Sequence, residues 1–226
     1  MDIRIPRHFL FLTGGTTSMD DKNHLNDLEM AKKRDHKIMI TDEAIQKVPR
    51  IQYKNIPERE YDTIQELAKQ VLKIAKDTND SNEVAVTYSL ESVRLIENGE
   101  RYIGVSLGAE HDVDPLSNST SYHLICSSTD CVVIVLHNHP SLSAFSLSDI
   151  QFLLKYASVK MMIVVTNLGN VSYLVKNAKY DYEKAVILFN DAVDQNNAAK
   201  NIKDLQNAAD YFLKNCYNTG INYEYR

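Results

Sequence analysis

The sequence predicts a mixed α/β fold, and three observations carry that prediction. An amphipathic helical stretch follows Pro57, several short β-branched runs come after it, and the most apolar run, Val132 to Leu136, leads within a short loop into a second helical stretch. Alternation of this kind calls for a central sheet covered by helices.

Taken in order, residues 1–56 carry little pattern. Gly14-Gly15-Thr16-Thr17 reads as a turn, and without a following Gly-Lys-Ser/Thr it is no phosphate loop. The segment is treated as an N-terminal extension. After Pro57, Ile64, Leu67, Ala68, Val71, Leu72 and Ala75 recur at helical spacing, with Glu58, Glu60 and Asp62 at the dipole-favoured end. The cluster Thr78-Asn79-Asp80-Ser81-Asn82 ends the helix. Strands are expected at 84–88 and 102–107, with Asn98-Gly99 as a turn between them, and a short strand at 122–126. Val132 to Leu136 has the continuous apolar character of a strand buried on both faces. A helix containing Ile150, Leu153 and Leu154 follows. Residues 161–166 and 171–175 flank Asn167-Leu168-Gly169-Asn170 as a hairpin, and two helices, 182–197 and 200–217, run to Gly220.

Composition excludes several classes. The net charge is −5, and the mixed run Met30-Ala31-Lys32-Lys33-Arg34-Asp35 reads as a solvated helix face, which argues against a nucleic-acid surface. Three cysteines, Cys126, Cys131 and Cys216, make neither a disulfide framework nor a Cys-x-x-Cys zinc finger, and Cys126 and Cys131 read as small buried residues in or beside strands. No apolar run is long enough to span a membrane and no signal segment opens the chain, so a cytoplasmic location is expected.

The chemistry-bearing stretch is His137-Asn138-His139-Pro140, followed after a loop by Ser146-Leu147-Ser148-Asp149. In extended backbone, residues two apart point to the same side, so His137 and His139 can grip one ion while Asn138 points away. Asp149 adds a carboxylate from the start of the next helix. Two imidazoles and one carboxylate match an open catalytic zinc site, which keeps a position for water. Ser146-x-x-Asp149 is also a helix-capping pattern, and the two readings are compatible.

The combined pattern resembles the JAMM (MPN+) zinc metalloprotease superfamily, whose signature is a Glu, then His-x-His-Pro, a loop and Ser-x-x-Asp. The wording His137-Asn138-His139-Pro140-Ser141 is most similar to its RadC-like and bacterial or phage JAB-domain branches. The resemblance implies a JAMM-like metallopeptidase domain over 57–180, flanked by the 1–56 extension and a mainly helical 181–226 extension. It implies one Zn²⁺ per chain on His137, His139 and Asp149. It also implies hydrolysis of a peptide or isopeptide bond in a protein substrate, which includes a ubiquitin-like conjugate. In the family an upstream Glu at a strand start carries protons, and here that position falls to Glu83, ahead of Glu91, Glu97 and Glu100. Ser146 would donate a hydrogen bond to the developing oxyanion. Between Pro140 and Ser146 the loop is one residue shorter than is usual in the family, which leaves Ser143 and Ser148 as alternatives for that role. The superfamily also contains metal-free protein-interaction scaffolds, and its RadC-like branch suggests a DNA-related role; both stay as alternatives. His111 and His123 have two readings, as groups that support the ligands or face the substrate or as ordinary loop or surface residues, and the second is favoured.

Overall fold

The computed structural model describes residues 37–90, 96–97, 100–195 and 202–226. The mixed α/β class is observed. A six-stranded sheet has the order β4-β1-β5-β6-β7-β8, built from Gly104–Leu107, Val84–Ser89, Val133–His139, Val159–Thr166, Val171–Lys176 and Ile221–Tyr225. Only β5 and β6 run parallel; every other neighbouring pair is antiparallel. A separate two-stranded ladder pairs β2 (Ile96–Glu97) with β3 (Glu100–Arg101). The Asn98-Gly99 turn expected between the 84–88 and 102–107 strands, and Glu91, lie outside the described residues.

Side-chain alternation divides the core into two layers. From β5, Ile134 and Leu136 join Val84, Val86, Ile163 and Tyr173 on one face. That face is covered by α2 (Tyr61–Thr78), whose buried positions Ile64, Leu67, Ala68, Val71, Leu72 and Ala75 are those read from the sequence. Residues 37–56 pack on the same side. They include a short helix, α1 (Asp42–Lys47), capped by Thr41, and they bury Ile40, Val48, Ile51, Tyr53 and Ile56. Val133 and Val135 face the other way, with Met162, Val164 and Leu174. There they meet α4 (Leu147–Lys155), α5 (Tyr182–Gln195) and α6 (Ile202–Asn215).

Three local expectations differ from what is observed. Residues 122–126 lie in a helix, α3 (Ser119–Ser127), and not in a strand. The Asn118 side chain accepts from the Ser121 amide at 3.0 Å and caps it, and the buried Ser121, Leu124 and Ile125 stand at helical spacing. Cys126 and Cys131 are exposed; only Cys216 is buried. The last strand, β8, was not expected. It forms because Gly220, at φ 79, reverses the chain after a short 3₁₀ turn and sends Ile221–Tyr225 back along β7. Among the described residues, the segment 181–226 thus adds two helices and one edge strand to the fold.

Gly169, at φ 87, turns the chain between β6 and β7, where an added Cβ would lie 2.3 Å from the Ala44 carbonyl oxygen. Gly169→Ala combines left-handed strain with a backbone clash and is expected to cost about 1–3 kcal/mol. A thermal melt should fall by roughly 2–4 °C per kcal/mol for a chain of this length.

Among the described residues, no helix is long and apolar enough to cross a membrane.

Candidate metal centre

Strand β5 ends as Leu136-His137-Asn138-His139, and its pleat sends His137 and His139 to the face covered by α4. The parallel neighbour β6 supports this end through the full register from His137↔Val164 to His139↔Thr166. Both histidines are buried, with 3% and 6% exposure.

Asp149 reaches them from the first turn of α4. Ser146 is the N-cap: its Oγ accepts from the Asp149 amide at 3.2 Å, and the Asp149 carboxylate accepts from the Ser146 amide at 2.7 Å. This capping box fixes the carboxylate over the strand end. His137 Nε2 stands 3.1 Å from Asp149 Oδ1, His139 Nε2 stands 3.5 Å from Oδ2, and the two Nε2 atoms are 3.0 Å apart. His139 Nδ1 lies 3.0 Å from the Ser143 carbonyl oxygen. A carbonyl only accepts, so Nδ1 carries the proton and the neutral ring offers a lone pair at Nε2. The His137, His139 and Asp149 donor atoms therefore converge, all within 4.8 Å of one another, in a cluster that can hold a metal ion.

Glu83 enters the same cleft from the start of β1. The β1–β5 register runs Ala85↔His137; continued by two residues it sets Glu83 opposite His139 and on the same face. Its residue is 8% exposed, and no described residue hydrogen-bonds its carboxylate. Burial pushes the Glu83 carboxyl up to about 8; the His139 charge opposes this, and Asp149 and Asp112 add to it. Around Asp149, burial works against the charge, but His137 and His139 outweigh it and hold the carboxyl well below the ordinary range. Burial likewise opposes a charge on His139, and the Asp149 hydrogen bond and charge, with Glu83, outweigh it and raise the imidazole to about 9.

A metal ion must therefore displace a proton from His139 at neutral pH. Apparent metal affinity is expected to weaken as pH falls below about 9, by roughly tenfold per unit while a single proton is displaced. Competition titrations with a chromophoric chelator between pH 6 and 9 measure the slope.

The cleft has a volume of about 640 Å³ and brings together Glu83, His137, His139, Ser146 and Asp149. Ser146 sits where the sequence places it, yet its hydroxyl points at Asp149 Oδ2, 2.7 Å away. In this geometry the hydroxyl donates to the carboxylate while its oxygen caps α4. Ser146→Ala is expected to cost about 1 kcal/mol of stability and to weaken metal binding, as read by melting and metal content on one preparation. Ser143 touches His139, with Oγ 3.3 Å from Nδ1, and Ser148 lines the cleft. Glu97 and Glu100 belong to the β2–β3 ladder, apart from the main sheet.

The cleft has further lining that no motif marks. His111, Asp112 and Asp114 line the cleft from the loop after β4, with Phe152 and Lys155 from α4. That loop is held close because the Glu83 amide donates to the Ala109 carbonyl and the Gly108 amide to the Glu83 carbonyl. No motif marks these residues; only the fold brings them to the site. His123 is exposed on α3, where its Nδ1 lies 3.2 Å from Ser127 Oγ.

No protein-family model, curated protein or solved structure matches the chain.

Proposed function

We propose that the chain is a zinc-dependent hydrolase of amide bonds, acting on a peptide or isopeptide link in a protein or peptide substrate. The observation that carries this reading is the juxtaposition in one cleft of a two-His, one-Asp cluster and a buried carboxylate outside it.

The donor set suits zinc. With ligand bonds of about 2.0–2.1 Å, a tetrahedral ion sets neighbouring donors roughly 3.3–3.4 Å apart. Here the two Nε2 atoms are 3.0 Å apart, and each faces a different oxygen of the one carboxylate, His137 at 3.1 Å from Oδ1 and His139 at 3.5 Å from Oδ2. His137, His139 and Asp149 would hold the ion. A bound zinc would supply Lewis acidity toward a substrate carbonyl and make water a stronger acid.

The proton work falls to Glu83. Amide hydrolysis needs a group that removes a proton from the attacking water and returns one to the departing amine. Asp149 is held by both histidines and by the Ser146 hydroxyl and amide, so it cannot do this. Glu83 makes no hydrogen bond through its carboxylate to a described residue, and burial makes it a far better base than an exposed carboxylate. A cation at the neighbouring cluster favours its ionised form.

The test is direct. Full-length protein is incubated with linear peptide and Lys-isopeptide reporter substrates, with and without a chelator. Cleavage that is lost on chelation and restored by Zn²⁺ is expected. A zinc-loaded preparation that cuts neither class contradicts the reading.

A further inference from the structure

Asn138 stands between the two histidines and points to the opposite face of β5, and it is fully buried. A buried carboxamide needs several partners, and its partners here are specific. Its Oδ1 accepts from the Val84 amide at 2.7 Å. Its Nδ2 donates to the Asn82 carbonyl at 3.1 Å and to Asn167 Oδ1 at 2.8 Å. Asn82 C=O and Val84 N–H belong to the two peptide units that flank Glu83. One side chain therefore grips the backbone on both sides of that residue.

The topology explains why a side chain does this. The backbone register between β1 and β5 ends at Ala85↔His137. The Asn138 carboxamide extends the contact by one step beyond the ladder, to the point where Glu83 leaves the strand.

The orientation of the amide is fixed by its surroundings. Asn167 Nδ2 donates to the carbonyl oxygens of Ile38 at 2.7 Å and Ser81 at 2.9 Å, which leaves its Oδ1 to face Asn138. The Asn167 amide donates to the His139 carbonyl at 3.0 Å. Every donor meets an acceptor, and flipping either carboxamide would set like groups against each other. Ser81 itself holds φ 58, an uncommon backbone state that its contacts with Asn167 and with the Ile40 amide stabilise.

We propose that Asn138 is the positioning residue for Glu83, using the histidine strand as a ruler that sets the carboxylate's distance from the metal cluster. This rests on the reading of Glu83 as the proton carrier. Asn138 touches neither the cluster nor the cleft; it acts through the two peptide units around Glu83. The sequence order His-Asn-His thereby codes the metal ligands on one face and the register pin for the base on the other.

The test is a double-mutant cycle of Asn138→Ala with Glu83→Gln, combined with a distance measurement that needs no turnover. In otherwise wild-type protein, Asn138→Ala should keep its metal and lower kcat on the order of 10–100-fold, as loss of an outer-shell partner does, with KM little changed. In the Glu83→Gln background it should have no further effect. Equal losses in both backgrounds would overturn the proposal, since a general loosening of the fold acts whether or not the base is present. For the second arm, the protein is loaded with Co²⁺ and its glutamate carboxyl carbons are labelled with ¹³C. Paramagnetic relaxation at Glu83 should weaken or broaden in Asn138→Ala, and unchanged relaxation would overturn the proposal. If the wild-type protein cuts no amide substrate, the hydrolase reading fails and this arm alone decides the positioning role. If Asn138→Ala does not fold, Asn138→Asp serves: it keeps the acceptor for Val84 but loses the donor to Asn82, so a displaced Glu83 is again expected.

Discussion

Glu83→Gln is expected to retain its metal and to lose amide hydrolysis by about 10²–10⁴-fold, the range for removing a positioned general acid or base. The substitution preserves length and planar shape, so it leaves the packing around a residue that is 8% exposed nearly intact. What it removes is the ability to take up and release a proton. Because burial raises the carboxyl to about 8, the group holds a proton more readily than an exposed acid, and the amide has no equivalent. A fall in kcat with KM little changed would locate the loss in the transition state. Glu91→Gln and Glu97→Gln are expected to remain near wild type, because Glu97 lies in the separate β2–β3 ladder and Glu91 has no part in the sequence motif. Near-normal rates in Glu83→Gln, with another acid required, would contradict the assignment.

The second large effect is loss of the metal. His137→Ala, His139→Ala and Asp149→Ala each remove one of three donors. Affinity should fall by more than the roughly 100-fold that loss of an outer-shell partner costs. Elemental analysis after dialysis should then find little zinc in any of the three, against about one per chain in wild type. The stability consequences should differ. Asp149 also accepts from the Ser146 amide and is hydrogen-bonded to the Ser146 hydroxyl, so Asp149→Ala loses half of the capping box as well. The histidine variants leave that cap in place. All three should still fold, since the two core layers stand independently of the site.

The site was legible in the sequence wherever its chemistry is written in short spacing. His137 and His139 share a face because β5 is extended through both, and Asp149 follows from a cap that Ser146 begins. Glu83 was legible only as an acid at a strand start 54 residues before His137; its place opposite His139 is a matter of strand register, which pairs residues distant in sequence. The cleft wall formed by His111 and Asp112 was not legible, since a loop without a motif gains its meaning from what it folds against. Of the fold, α2 and the β6–β7 hairpin declared themselves through clean periodicity. The error at 122–126 has a physical source. Tyr122, Leu124 and Ile125 suit a strand by propensity, but Asn118 caps a helix before them and tertiary packing selects the helical face. The role of residues 37–56 was hidden because their apolar residues follow no sustained period; they join the same core layer as α2.

The most direct test of the central claim is anomalous diffraction at the zinc absorption edge, from crystals of protein purified without chelators. One peak is expected, bounded by His137 Nε2, His139 Nε2 and the Asp149 carboxylate, with Glu83 facing it across the cleft. No peak at the edge, or a peak bound elsewhere on the chain, would contradict the assignment of this cluster as the metal centre.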